Sequence, residues 1–161
     1  MKITVLAIGQ RQPRWADDAI ADFVARFPAD FAVTIKALKP EARNKHAEHG
    51  GHAVARILAA EAMRLRAARP SQAILVACDE RGRDWSSAEL ARQINTWRAH
   101  AEDICFAIGG ADGLADDFKR EARIQLRLSS LTLPHALARI VLVEQLYRAW
   151  SILAGHPYHR V

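Results

Sequence analysis

Apolar positions along the chain switch repeatedly between short unbroken runs and the spacing of a helix face. Ile3 to Ile8 is a compact apolar run that ends at Gly9, and it reads as a strand. Trp15, Ala19, Phe23 and Phe27 then recur every fourth residue before Pro28, as one face of a helix does. Phe31, Val33, Ile35 and Ala37 alternate with Thr34 and Lys36, which predicts a half-buried strand near a sheet edge. Val54, Ile57, Leu58, Ala62 and Leu65 mark a second helix, stopped before Pro70. Ala73 to Cys78 is apolar throughout, as expected of a central parallel strand covered on both faces.

Ser86-Ser87-Ala88-Glu89 has the form of a capping box and opens a helix carrying Leu90, Ile94 and Trp97. Ile104 to Ile108 is a further strand, Leu114 and Phe118 belong to a short helix, and Ile124, Leu126 and Leu128 alternate with basic and amide residues as a last strand. Pro134 opens a final helix running to about Leu153. Strands alternating with helices predict an α/β fold, a mainly parallel sheet flanked by helices, as a single domain over 1–161. Such sheets bind ligands at the carboxyl ends of their strands.

Composition narrows this picture modestly. Half the residues are hydrophobic and a quarter charged, the balance of a globular protein. No apolar run approaches the ~20 residues of a membrane-spanning helix. The opening Met1 to Gly9 is read as a first strand of a cytoplasmic protein, since polar residues stand where a secretory cleavage site would be. Cys78 and Cys105 each lie inside an apolar run and read as buried thiols. The formal charge of +5 leans toward a polyanionic partner.

Four segments carry candidate chemistry. Ile108-Gly109-Gly110-Ala111-Asp112-Gly113 follows a strand, and its glycines allow close backbone approach or positive φ. Its spacing matches neither the dinucleotide fingerprint nor a Walker A loop, so a tight turn and a ligand loop stand level. Leu128-Ser129-Ser130-Leu131-Thr132-Leu133-Pro134-His135 cannot be regular helix, because Pro134 pushes Leu133 toward an extended conformation. Its leucines suit the walls of a pocket for an amphipathic ligand, or its hydroxyls simply cap backbone donors. The last helix is apolar nearly all round, which predicts cover on two sides: the sheet, and a second subunit. The ending His156-Pro157-Tyr158-His159-Arg160-Val161 gathers groups suited to proton transfer, base stacking and phosphate contact, against the default of a solvent-exposed tail.

Two tempting clusters read as surface. His46, His49 and His52 recur every third residue in the basic stretch from Lys39 to His52, but lack the H-E-x-x-H spacing and a cysteine. No metal is expected. Asp79-Glu80 reads as a solvated strand-end turn.

In order and spacing, several pieces resemble the ribosomal RNA large-subunit methyltransferase H family of the SPOUT class. They are Val5 to Gly9 with Pro13 and Trp15, Arg26-Phe27-Pro28, Ile108-Gly109-Gly110 with Gly113-Leu114, and Leu128 to His135. Glu144, Leu146 to Trp150 and His156 to Arg160 complete the set. The resemblance implies a SPOUT-type α/β trefoil knot and N3-methylation of a pseudouridine in 23S ribosomal RNA, with S-adenosyl-L-methionine as methyl donor. It places the donor against Cys78, Gly109, Leu128, Ser129, Ser130, Leu131, Thr132 and Leu133, with Cys78 standing where the family carries a leucine. N3 must lose a proton, and His159, helped by Tyr158 and Arg160, is the first candidate to take it, ahead of His135. A homodimer built on the last helix would bring each tail beside its partner's site. The expected partner is large-subunit ribosomal RNA or the assembled ribosome. The alternatives are a SPOUT enzyme acting on transfer RNA, and a non-catalytic RNA-binding assembly factor.

Overall fold

In the computed structural model, which describes residues 1–43 and 51–160 apart from the side chain of Arg160, five parallel strands form one sheet. They are β1 (Lys2–Ile8), β2 (Ala32–Leu38), β3 (Ile74–Asp84), β4 (Ile104–Ile108) and β5 (Ile124–Arg127). Their order across the sheet is β2-β1-β4-β3-β5, so β2 is the edge strand that its alternating pattern predicts. Four helices connect them, α1 (Arg14–Ala25), α2 (Gly51–Ala68), α3 (Ser87–Ala99) and α4 (Asp116–Glu121), and α5 (His135–Leu153) follows β5.

The two faces of the sheet are buried by different helices, which is why the inner strand β4 is apolar at every position. Val5, Ala7, Val76, Ile104 and Phe106 pack with α3 and α5. Leu6, Ile8, Leu75, Ala77, Cys105 and Ala107 pack on the other face with Ala62 and Leu65 of α2 and Phe118 of α4. The capping box is formed as expected: the Ser86 hydroxyl accepts from Glu89 N–H, and the Glu89 carboxylate accepts from Ser86 N–H.

Three expectations change. The third strand does not end at Cys78. It bulges and resumes, since both Cys78 and Arg83 stand opposite Leu126. Asp79 and Glu80 therefore sit in a bulge rather than a terminal turn. Gly82 makes the return possible, because a Cβ there would lie 2.6 Å from the Leu126 carbonyl carbon. Trp15 does not share a buried face with Phe23: it is 54% exposed at the start of α1, and Ala16 is the buried residue. The apolar surface of α5 is largely covered within one chain. α1 and α3 flank it, and Tyr147 is buried against Phe23 and Phe27 rather than facing outward. The ending is the structured alternative to a solvent-exposed tail: Pro157–Arg160 forms a 3-10 turn packed back on α5.

From β5 at one edge the chain returns under β1 and β4 through α5, where the buried Arg139 guanidinium donates to the carbonyls of Ile8 and Gly9. The route is consistent with the trefoil threading that the resemblance implies.

Candidate functional site

A cavity of about 530 Å³ opens at the carboxyl edge of the sheet, within the range of small-molecule sites. Three segments build it: the β3 bulge from Cys78 to Arg81, the turn from Ile108 to Leu114, and the stretch from Arg127 to Leu133. His135 and Ala138 of α5, Leu58 of α2, and Asp116 and Lys119 of α4 complete its lining. Of the residues expected to hold a donor, Cys78, Gly109, Leu128, Ser129, Leu131, Thr132 and Leu133 all line this cavity, and Ser130 alone does not.

The glycine turn is shaped by its own backbone. Gly113 has φ of +81°, and its N–H donates to the carbonyl of Gly110 at 2.9 Å. A Cβ on Gly109 would lie 2.2 Å from the Gly113 carbonyl oxygen, and one on Gly110 would lie 2.6 Å from the buried Glu61 carboxylate. The backbone of the turn itself thus excludes a side chain at Gly109, whereas one at Gly110 would meet only the end of the Glu61 side chain. In the neighbouring loop the Ser129 hydroxyl accepts from Leu131 N–H at 2.9 Å. That hydroxyl bends its own loop, and Leu131 is left 75% exposed at the cavity mouth.

A charged cluster stands on one side of the cavity. Lys119 Nζ lies 3.1 Å from Asp79 and 2.9 Å from Asp116. The hydrogen bond from Lys119 holds the Asp116 carboxyl below its usual range, and Asp116 in turn raises the ammonium of Lys119. Elsewhere Arg127, Thr132 and His135 share the lining with leucines, Ile108 and the Cys78 thiol, which burial pushes up to about 12. At neutral pH that thiol is a neutral apolar surface, not a nucleophile. From sequence Asp79 reads only as part of a solvated turn, and Arg81 and Lys119 are not singled out, although the rule that ligands gather at strand carboxyl ends points to Asp79 and Arg81.

The tail lies elsewhere on the chain. The Tyr158 hydroxyl donates to Glu144 Oε1 at 3.1 Å, and Arg148 donates to the same oxygen through Nη2 at 2.7 Å. The Tyr158 ring meets Tyr147 at 4.8 Å and carries the Arg148 guanidinium 5.0 Å above it. Burial and the Glu144 carboxylate raise the phenol above its usual range, so Tyr158 serves as a hydrogen-bond donor and not as a base. His159 Nδ1 is buried without a partner. Neither Tyr158 nor His159 is among the residues that line the cavity of their own chain. Among the described residues no cluster of acidic, His or Cys side chains is placed to hold a metal ion, and no helix is long and apolar enough to cross a membrane. His46 and His49 fall outside the described residues.

This architecture has known counterparts. A family model described as "Predicted SPOUT methyltransferase" matches residues 1–159. The chain is 51% identical to ribosomal RNA large subunit methyltransferase H of Neisseria meningitidis serogroup C (strain 053442), covering 99% of both chains. It is 48% identical to the protein of that name from Chromobacterium violaceum, again over 99% of each. Among solved structures, the SpoU methyltransferase AviRb from Streptomyces viridochromogenes in complex with the cofactor AdoMet aligns with a TM-score of 0.43 at 14% identity, covering 90% of this chain and 56% of that one. The chain belongs to the SPOUT methyltransferases and, within them, to the ribosomal RNA large subunit methyltransferase H family.

Proposed function

We propose that the protein methylates N3 of a pseudouridine in large-subunit ribosomal RNA, using S-adenosyl-L-methionine. The observation that carries this reading is full-length likeness to enzymes named for large-subunit ribosomal RNA, joined to a donor-sized cavity where the expected loops meet. The cavity suits such a donor: leucine walls for its apolar surface, exposed backbone of the Leu128–Leu133 loop for polar contacts, and no reactive thiolate. When bound, the donor supplies an electrophilic methyl group on a sulfonium.

The chain's own residues then have defined tasks. Leu128, Leu131 and Leu133 exclude water around the reacting groups. Leu128 to Leu133, with Cys78 and the Gly109 turn, orient the donor, so that the nucleophile meets the methyl group in line. N3 of the base must lose its proton, and an imidazole within hydrogen-bond reach is suited to take it. His159 of a partner subunit is our first candidate, with Tyr158 donating a hydrogen bond and Arg160 meeting a phosphate. His135, which lines the cavity of its own chain, is the second.

The shared site requires a homodimer. Two features support one: exposed Leu137 with half-buried Ile140 and Val141 on α5, and a tail whose reactive groups sit away from the cavity of their own chain. The charge of +5 suits a ribosomal RNA partner, and that partner implies a cytoplasmic site of action.

The test is transfer of labelled methyl groups to large subunits from a strain lacking this protein, followed by mapping of the modified nucleotide. Methyl transfer to N3 of one pseudouridine is expected. Methylation of transfer RNA instead, or donor binding without any transfer, overturns the reading.

A further inference from the structure

The β1–α1 turn, Gly9 to Trp15, has features that donor binding and proton transfer do not use. Trp15 is 54% exposed, whereas Trp97 is fully buried and Trp85 and Trp150 are half-buried against the core. Trp15 thus presents to solvent a flat aromatic face with a polar edge.

The exposure does not come from looseness. Gly9 N–H donates to the Leu38 carbonyl at 2.7 Å, and Arg139 donates to the carbonyls of Ile8 and Gly9 at 2.9 and 2.6 Å. Ala16 N–H donates to the Pro13 carbonyl at 2.9 Å, and the Ala16 side chain is completely buried. The turn is therefore tied to β2, to α5 and to the core, and Trp15 is held outward.

Its place in the fold is equally specific. β1 lies between β2 and β4, and Ala7 stands opposite Ile108, so the turn leaves the same carboxyl edge as the glycine turn of the cavity. Lys39 follows β2 on the other side. Between Gly9 and Trp15 there are two arginines and no acid. Arg14 shares its charge with Asp18 at 3.6 Å, while Arg11 is exposed and makes no ion pair among the described residues.

We propose that this turn is a docking wall for single-stranded RNA, in which the Trp15 indole stacks on a base flanking the target nucleotide and Arg11 meets an adjacent phosphate. The inference rests on the function proposed above. An indole beside a cation fits unpaired RNA because every base has a π face, and because bases within a duplex offer none to a side chain. Asp17 and Asp18 on α1 repel phosphate, which confines the backbone contact to the Arg11 side of the ring.

The experiment uses large subunits, free and within assembled ribosomes, from a strain lacking this protein, and follows both co-sedimentation binding and methyl transfer for the full chain, Trp15→Ala, Trp15→Phe and Arg11→Ala. Trp15→Ala is expected to weaken subunit binding and raise KM tenfold or more, with kcat, donor affinity and oligomeric state unchanged. Trp15→Phe restores most of the loss. Arg11→Ala flattens the dependence of log KM on log salt by about one. Wild-type binding in Trp15→Ala overturns the proposal, as does loss of the dimer, which would assign Trp15 to a second copy. An equal defect in the Phe variant also overturns it. The unmodified chain separates the two levels of the argument: if it binds subunits through Trp15 but transfers no methyl group, the proposed reaction falls and the docking wall stands. If it does not bind subunits at all, both fall.

Discussion

Gly109 passes so close to Gly113 that a Cβ on the first would lie 2.2 Å from the carbonyl oxygen of the second. The contact is backbone against backbone, so no side-chain adjustment relieves it. Gly109→Ala is therefore expected to lower stability by about 2 kcal/mol or more, and to weaken donor binding only as the turn opens. Thermal unfolding and calorimetry on the same variant should move together. Gly113→Ala meets open space but keeps a positive φ, at a cost of about 1–2 kcal/mol. A folded Gly109→Ala of wild-type stability that still loses the donor would return this glycine to a ligand contact.

Tyr147 and Leu137 lie on the same helix yet should answer different questions. Tyr147 is buried in its own chain among Phe23, Phe27 and Tyr158. Tyr147→Asp places a charge in that cluster and is expected to unfold the protein. Leu137→Asp, on the exposed side of α5, is expected to leave the monomer folded and abolish the dimer. Sedimentation velocity with circular dichroism distinguishes the two, and a dimer that persists in Leu137→Asp would move the interface off this face.

Deleting Tyr158 to Val161 is expected to abolish methyl transfer while donor affinity stays within a few-fold. Some loss of melting temperature accompanies it, since Tyr158 packs on Tyr147 and bonds Glu144. Mixing the deleted chain with one whose donor loop is disabled should restore activity, because the mixed dimer keeps one intact shared site. Failure to complement, with mixed dimers shown to form, would confine the site to one chain.

Because burial raises the Cys78 thiol to about 12, thiolate at pH 8 is about a thousandfold scarcer than for an ordinary cysteine. Labelling by iodoacetamide should be slow at pH 8 and increase with pH well beyond the range where a free thiol levels off. Cys78→Ala should retain methyl transfer. Rapid labelling at neutral pH would mean a thiolate in the cavity wall.

Ser86→Ala removes one half of the α3 capping box and is expected to cost about 1 kcal/mol. Hydrogen bonds from Ser86 hold the Glu89 carboxyl below its usual range. Its contribution is therefore present above the unfolded carboxyl value and lost as pH falls through the lower folded value. The variant's stability should be less sensitive to acid than the wild type's, compared by denaturation between pH 3 and 6.

The strands, the helices and the α/β class were legible in the chain because burial on two faces leaves a local signature. β4 is apolar at every position, whereas β2 alternates because it stands at an edge. The capping box was legible for the same reason, since its partners lie three residues apart. The loops that line the cavity were legible as departures from regularity: glycines after β4, and a proline-ended leucine loop after β5.

Other features depend on partners far apart in the chain, and no local pattern encodes them. Glu61 meets the turn at Gly110, and Gly82 lets β3 return to Leu126. Lys119 joins Asp79 from another element. The all-round apolarity of α5 announced that the helix is covered, but not by what, because a helical pattern records burial without naming the neighbour. Here α1 and α3 supply most of that cover. Trp15 shows the same limit from the opposite side: its spacing matched a buried face, and the way α1 docks turned the indole outward. Composition and periodicity thus determined which elements form and where ligands gather, while the direction each side chain faces was set by long-range packing, which depends on the whole chain at once.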